Sequence, residues 1–234
     1  IKHLGNNKYI LSDNIEISEN LYLGSNKSLV VKKGTKIFFK NDVSIFSLGS
    51  ISFNGTEDKP ITIYSEDGVG SLILYDNKYK FKNVIFKNLS YPKERDKILY
   101  GGINIINSNV ELLDSQLTFS NSEDAINIIS SNSDIKNLTV NNIKSDAIDI
   151  DFGTLNFENI ICENIDNDCL DISGATVYGS FLKGSKIKDK GLSFGESAKG
   201  QITNLDFQNS KLGVAVKDGS NLKLSKYEFR NNEY

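Results

Sequence analysis

Five phrases recur every 22 residues, an interval that suits a stack of small units and no ordinary globular fold. They are Ser122-Glu123-Asp124-Ala125-Ile126-Asn127-Ile128, Ser145-Asp146-Ala147-Ile148-Asp149-Ile150, Asn167-Asp168-Cys169-Leu170-Asp171-Ile172, Asp189-Lys190-Gly191-Leu192-Ser193-Phe194 and Lys211-Leu212-Gly213-Val214-Ala215-Val216. Positions 124, 146, 168, 190 and 212 are equivalent. A second alternating strand keeps step with them: Val84/Phe86, Leu117/Phe119, Leu138/Val140, Ile160/Cys162, Leu182/Gly184, Leu205/Phe207 and Tyr227/Phe229. Two residues after each pair stands Asn88, Asn121, Asn142, Asn164, Lys186, Asn209 or Asn231. Asparagine tolerates the left-handed backbone of a tight corner, and stacked amides bond from coil to coil. The interval from Asn88 to Asn121 is longer than the others by about eleven residues, so one coil holds an inserted loop, placed at 89–100.

The first 80 residues follow a looser rhythm. Val31 leads to Ile51/Phe53 and Leu72/Leu74, while Ile37/Phe39 leads to Ile61/Ile63 and Val84/Phe86, with turn phrases such as Asn54-Gly55-Thr56-Glu57-Asp58-Lys59-Pro60 between. Apolar residues at i, i+2, many β-branched and separated by Asn, Asp, Gly and Ser, disfavour helix. A leucine-rich repeat of similar period would need a fixed leucine consensus that is missing. A coil of 21–23 residues cannot bury its apolar face alone, whereas stacked coils can. The expectation is an all-β chain, one right-handed parallel β-helix over 1–234, less regular over 1–80 and regular over 81–234. Its last coil would need more chain or a partner to cover the strand edges.

His3 is the sole histidine, and Arg95 and Arg230 are the only arginines. This rules out a zinc site of several histidines, an arginine-rich nucleic-acid surface and, unless His3 or a partner chain supplies the histidine, a Ser-His-Asp or Cys-His machinery. No apolar run approaches the ~20 residues of a membrane span, and no leader pattern opens the chain. Because it begins at Ile1 without an initiator Met, it reads as a piece of a longer chain carrying further domains; the expected location is secreted, periplasmic or cell surface. Cys162 and Cys169 are read as buried free thiols, since a bridge over so short a loop needs particular corner geometry.

Alternation turns Ile148 and Ile150 inward and Asp149 and Asp151 outward, and turns Asp171 outward one coil later. Asp124, Asp146 and Asp168 form a column at the adjoining corner. Residues 121–174 hold eleven acids and two lysines, a local charge of −9 within a chain whose net charge is −3. Like charges one strand spacing apart raise carboxyl pKa values or recruit a cation. Four readings stay open: an acid–base carboxyl pair acting on a glycosidic bond, a calcium site that adds Asp124 and Asp151 to the other aspartates, a face for a cationic partner, and a solvated column with ordinary pKa values. Lys190 continues the column, either as charge alternation or as a ligand for an acidic sugar. In the 89–100 loop, Tyr91 is a candidate for stacking on a sugar ring and Arg95 for reaching a carboxylate; a plain surface insertion is the alternative.

The asparagine corners and coil length resemble the pectin-lyase-like right-handed β-helices over most of the chain. The phrases at 145–150, 167–172, 189–195 and 213–217 resemble, in order, the active-site phrases of polygalacturonases, roughly Asn-Thr-Asp-Gly, Asp-Asp-Cys, Gly-His-Gly and Arg-Ile-Lys. The resemblance implies Asp146 and Asp168 as counterparts of catalytic aspartates and Lys217 as counterpart of a substrate-binding lysine. The sequence departs from that pattern at Asn167, Lys190 and Ala215. Two functions follow as expectations. One is a domain that binds or modifies an extracellular polysaccharide as hydrolase, lyase or epimerase, centred on Asp146, Asp149, Asp168 and Asp171. The other is a noncatalytic structural or adhesive module of a surface protein or phage fibre. Nucleic acid is not an expected partner.

Overall fold

The computed structural model describes residues 2–92 and 99–234. The chain winds as a parallel β-helix with three faces, and no helix occurs among the described residues. After β1 (Lys2–His3), the first face begins with β2 (Lys8–Leu11), the second with β3 (Ile15–Ile17) and the third with β4 (Leu21–Leu23). The next coils repeat this order as β5 (Ser28–Lys32), β6 (Lys36–Phe39) and β7 (Ser44–Ser47), then β8 (Ser50–Asn54), β9 (Ile61–Ser65) and β10 (Ser71–Tyr75), then β11 (Lys78–Lys82), β12 (Val84–Lys87) and β13 (Gly101–Ile106).

Beyond them strands run unbroken around corners. β14 (Asn109–Ser120), β18 (Thr176–Ile187), β20 (Lys199–Gln208) and β22 (Asn221–Arg230) each cover the first two faces. β15 (Asp124–Ile143) and β16 (Asp146–Ile165) each cover all three, and β17 (Leu170–Ser173), β19 (Lys190–Gly195) and β21 (Leu212–Val216) complete the third. Among the described residues every inter-coil strand pairing is parallel, and the one antiparallel strand pair is β1 on β2, where His3 stacks on Tyr9.

Register converts sequence period into columns. Leu74, Ile105, Ile128, Ile150, Ile172 and Phe194 lie one above another on the inner side of the third face, all buried in one continuous core. Corners are made by residues at positive φ: Asn88, Asn142, Asn164, Lys186, Asn209 and Asn231 all lie near +55°. Lys186 thus takes the asparagine conformation without the asparagine side chain.

The register corrects three sequence expectations. Gln116, Leu117 and Thr118 pair with Ile85, Phe86 and Lys87, so the corner residue is Phe119, at φ 56 and exposed, and Asn121 lies beyond it. The inward pair is Ser115/Leu117 rather than Leu117/Phe119, because a serine hydroxyl bonded to the corner backbone satisfies the inner position. Near the N-terminus Ile37 faces Ile63, not Ile61, and Phe53 is followed in its column by Phe81, while Leu72/Leu74 belong to the third face. The 55–60 turn, closed by a Thr56–Lys59 bridge, adds the residues that shift this register.

The third correction concerns the cysteines, which form a disulfide with Cα atoms 5.9 Å apart. Asn164 folds the corner between β16 and β17 so tightly that two inward positions meet. In the coil above these positions are Val140 and Ala147, and in the coil below they are Gly184 and Gly191. A Cβ on either glycine would lie 2.6 Å or less from the Phe207 ring, which therefore fills the space under the disulfide. From the small loop it closes, the bond should contribute about 2–3 kcal/mol. Cys162→Ala/Cys169→Ala should lower the urea midpoint by that equivalent while leaving the m-value unchanged; an unaltered midpoint would show that packing alone holds the corner.

Candidate functional site

The outward column of the third face reads Tyr22, Phe46, Ile73, Asn104, Asn127, Asp149, Asp171, Ser193 and Ala215, each residue in register with the next. Beside it runs Tyr75, Ile106, Ile129, Asp151, Ser173 and Gly195. At the corner leading into the strands stand Gly101, Asp124, Asp146, Asp168 and Lys190. The structure therefore brings Asp124, Asp146, Asp149, Asp151, Asp168 and Asp171 to one face, as alternation and the 22-residue period require.

Their burial differs. Asp124 and Asp168 are almost fully buried, which excludes a wholly solvated column, whereas Asp146, Asp149, Asp151 and Asp171 are half-buried and open to the surface. The backbone dictates this. Asp146 accepts the Asp168 amide at 2.7 Å, and Asp168 accepts the Lys190 amide at 2.8 Å, so each corner carboxyl is folded back onto the next coil. Asp124 is held by its own amide on the Tyr100 carbonyl, and its carbonyl accepts the Ser122 hydroxyl.

Desolvation sets the electrostatics. Burial, reinforced by the charges of Asp124, Asp151, Asp171 and Asp146, pushes Asp149 up to about 8. Burial and the neighbouring Asp146, Glu123 and Asp151 raise Asp124 to about 7; burial raises Asp146 to about 6, with its bond from the Asp168 amide opposing. Asp151 and Asp168 are also raised by burial, the latter against the attraction of Lys190. Asp149 is thus a surface-accessible carboxyl that holds its proton near neutrality.

Asn127 is a site residue that sequence reasoning passed over. Its buried amide nitrogen donates to Asp124 Oδ2 at 3.1 Å and to Asp149 Oδ2 at 2.9 Å, linking the corner column to the outward one. The available signal was its register with Asp149, 22 residues on. Downstream, the Oδ1 of Asp171 and the Oγ of Ser193 are buried without hydrogen-bond partners.

The predicted substrate-binding residues divide. Lys190 is half-buried and committed to Asp168, at 3.2 Å, and to Asp189, which also pairs with Lys211 at 2.8 Å. Lys217 is exposed, its stem lying against Gly195 on the same face. Tyr91 is exposed beyond the Asn88 corner, and Arg95 lies outside the described residues. Tyr100, also exposed, sits nearer the acids through its backbone bond to Asp124. Among the described residues no group of three or more His, Cys, Asp or Glu side chains is arranged to hold a metal ion.

No family model and no curated protein matches the sequence. Solved structures similar to the chain include the surface adhesin PfbA of Streptococcus pneumoniae, at 13% identity over 97% of this chain and 86% of that one, TM-score 0.28. A second structure of that adhesin matches at 13% identity over 97% and 92%, TM-score 0.27. A mutant of the periplasmic alginate epimerase AlgG matches at 6% identity over 95% and 77%, TM-score 0.26.

The raised carboxyls make stability fall with pH. In the folded chain they bind protons that the unfolded chain, with ordinary aspartates near 3.9, has released; their stabilising contribution is complete below pH 4 and disappears as pH rises through about 6 to 8. The melting temperature should drop by roughly several degrees between pH 5 and pH 8. Asp149→Asn should flatten that slope; a melting temperature that rises across this range would contradict the assignment.

Proposed function

We propose that the acidic third face binds a polysaccharide and hydrolyses it, with Asp149 as proton donor and Asp171 as the second carboxyl. The supporting observation is the half-exposed Asp149, protonated near neutrality and one strand spacing from the half-exposed Asp171 in the same column. The two residues are neighbours at the backbone, about 4.8 Å apart, which puts their carboxyls within reach of the roughly 5–5.5 Å separation that a retaining pair uses. Asp149 would protonate the glycosidic oxygen while Asp171 attacks the anomeric carbon. Water, deprotonated by Asp149, would then release the sugar. Asp146 shapes the field around the pair, Asn127 orients Asp149, and the exposed Lys217 and Tyr100 offer contacts for substrate at the rim.

A second reading, a noncatalytic glycan-binding or structural module of a surface protein, is favoured by the engagement of Lys190 with Asp168 and Asp189, which leaves its ammonium in internal ion pairs. No described group of three acids is arranged as a metal site, so calcium is followed in the same samples only as a control on the acidic face.

A panel of polygalacturonate, alginate and neutral glucans, followed by reducing ends and by absorbance of unsaturated uronates, separates these readings. Asp149→Asn and Asp171→Asn should each reduce turnover by about 10²–10⁴, and the wild-type rate should decline above about pH 8 as Asp149 loses its proton. Turnover that survives both substitutions removes these residues from the chemistry, and glycan binding without turnover selects the module. A melting temperature raised by calcium and restored by chelator would assign the face to the ion.

A further inference from the structure

Five and four coils before Asp149, the same outward column holds a pair of stacked aromatic rings. Tyr22 and Phe46 pair in register, their rings 5.0 Å apart and 9° from coplanar. Tyr22 is 64% exposed, whereas Phe46 beneath it is buried. Tyr75, Leu48 and Asp76 complete a cleft of about 450 Å³ around these rings.

The cleft has a fixed floor. The buried Tyr79 hydroxyl lies within hydrogen-bonding distance of the Ser47 and Tyr75 carbonyls, at 2.9 and 2.8 Å, and donates to one at a time. Burial pushes that phenol up to about 12, so it remains a donor at every working pH. On the side toward the acids, Ile73 and Leu99 pack against Phe46. Position and shape are thus set before any ligand arrives, which lowers the ordering cost of binding.

We propose that this cleft is a second carbohydrate-binding site that takes the apolar face of a neutral pyranose ring. Its lining is chemically two-sided, as a sugar is: aromatic and aliphatic surface from Tyr22, Phe46, Leu48 and Tyr75, with the Asp76 carboxylate as an acceptor for hydroxyls. Among the described lining residues Asp76 is the one charged group, which disfavours a uronate ring and favours a neutral one. The cleft also continues the column that bears the acids, its Phe46 roughly 19 Å from Asp149 at one strand spacing per coil. The ligand class rests on the glycan reading given above, but the site is independent of its chemistry.

Calorimetric titration of the intact chain with cellohexaose, laminarihexaose and xylohexaose, and with a galacturonate hexamer as the charged control, tests the assignment. At least one neutral hexasaccharide should bind in preference to the charged one. Tyr22→Ala should weaken it about tenfold, the order expected for one lost stacking contact, while Tyr22→Phe retains it. The exposed position of Tyr22 makes misfolding an avoidable confusion, checked by an unchanged melting temperature. Failure of every neutral hexasaccharide to bind, or binding indifferent to Tyr22→Ala, overturns the proposal. So does sedimentation that shows self-association abolished by Tyr22→Ala, which would give the cleft to a second copy of the chain. Tyr22-dependent binding without turnover would keep this site and withdraw the catalytic role of the acids.

Discussion

The parallel hydrogen-bonded ladder between coils is the constraint from which the rest follows. Each coil is a single circuit of chain that buries only part of its apolar surface, and it persists because its backbone amides and carbonyls are satisfied by the coils above and below. Such a ladder forbids slippage. A shift of one residue would carry Ile148 and Ile150 outward and Asp149 inward, exchanging core for solvent along the whole column. Registration therefore makes like stand on like: isoleucine on isoleucine inside, amide on amide at Asn109–Asn132 and Asn142–Asn164, and acid on acid on the third face.

Stacking identical apolar groups is favourable, whereas stacking carboxylates one strand spacing apart is not, unless protons, amides or cations intervene. All three devices are present. Asn127 donates into the upper end of the acid column, Lys190 closes the lower end, and Asp149 and Asp124 keep protons near neutrality. Structural satisfaction and chemical readiness have one origin here: the desolvation that makes ionisation costly also leaves Asp149 able to give a proton to something outside. The same ladder stacks Tyr22 on Phe46 in that column, so one face presents two chemistries along one axis.

The period of 22, the alternation of two strands per coil and the asparagine corners were legible from residue type and spacing alone, and with them the fold class and the gathering of six aspartates. Three differences share a cause. Asn121 has the residue type of a corner, yet the corner is set by backbone pairing, and Phe119 occupies the left-handed position because the ladder demands it. Residue counting aligns Ile61 with Ile37, while the 55–60 turn takes up length that no pattern reveals. Seven residues between Cys162 and Cys169 suggest too short a loop for a bridge, but a corner bent at Asn164 points both side chains inward at each other.

What the sequence determined by itself is periodicity: which residues repeat, which alternate, and hence that the chain stacks as a β-helix with an acidic face. Side-chain type and spacing suffice for that, because burial of alternate residues is a local rule applied over and over. What only the tertiary structure decided is the environment of each member of a column. Asp124 and Asp168 are buried while Asp146, Asp149 and Asp171 are open, Lys190 is spent on Asp168 and Asp189, and Tyr22 is exposed above a buried Phe46. Those differences arise from contacts between coils 22 or more residues apart, and it is they that turn equivalent aspartates into groups with different protons and different reach.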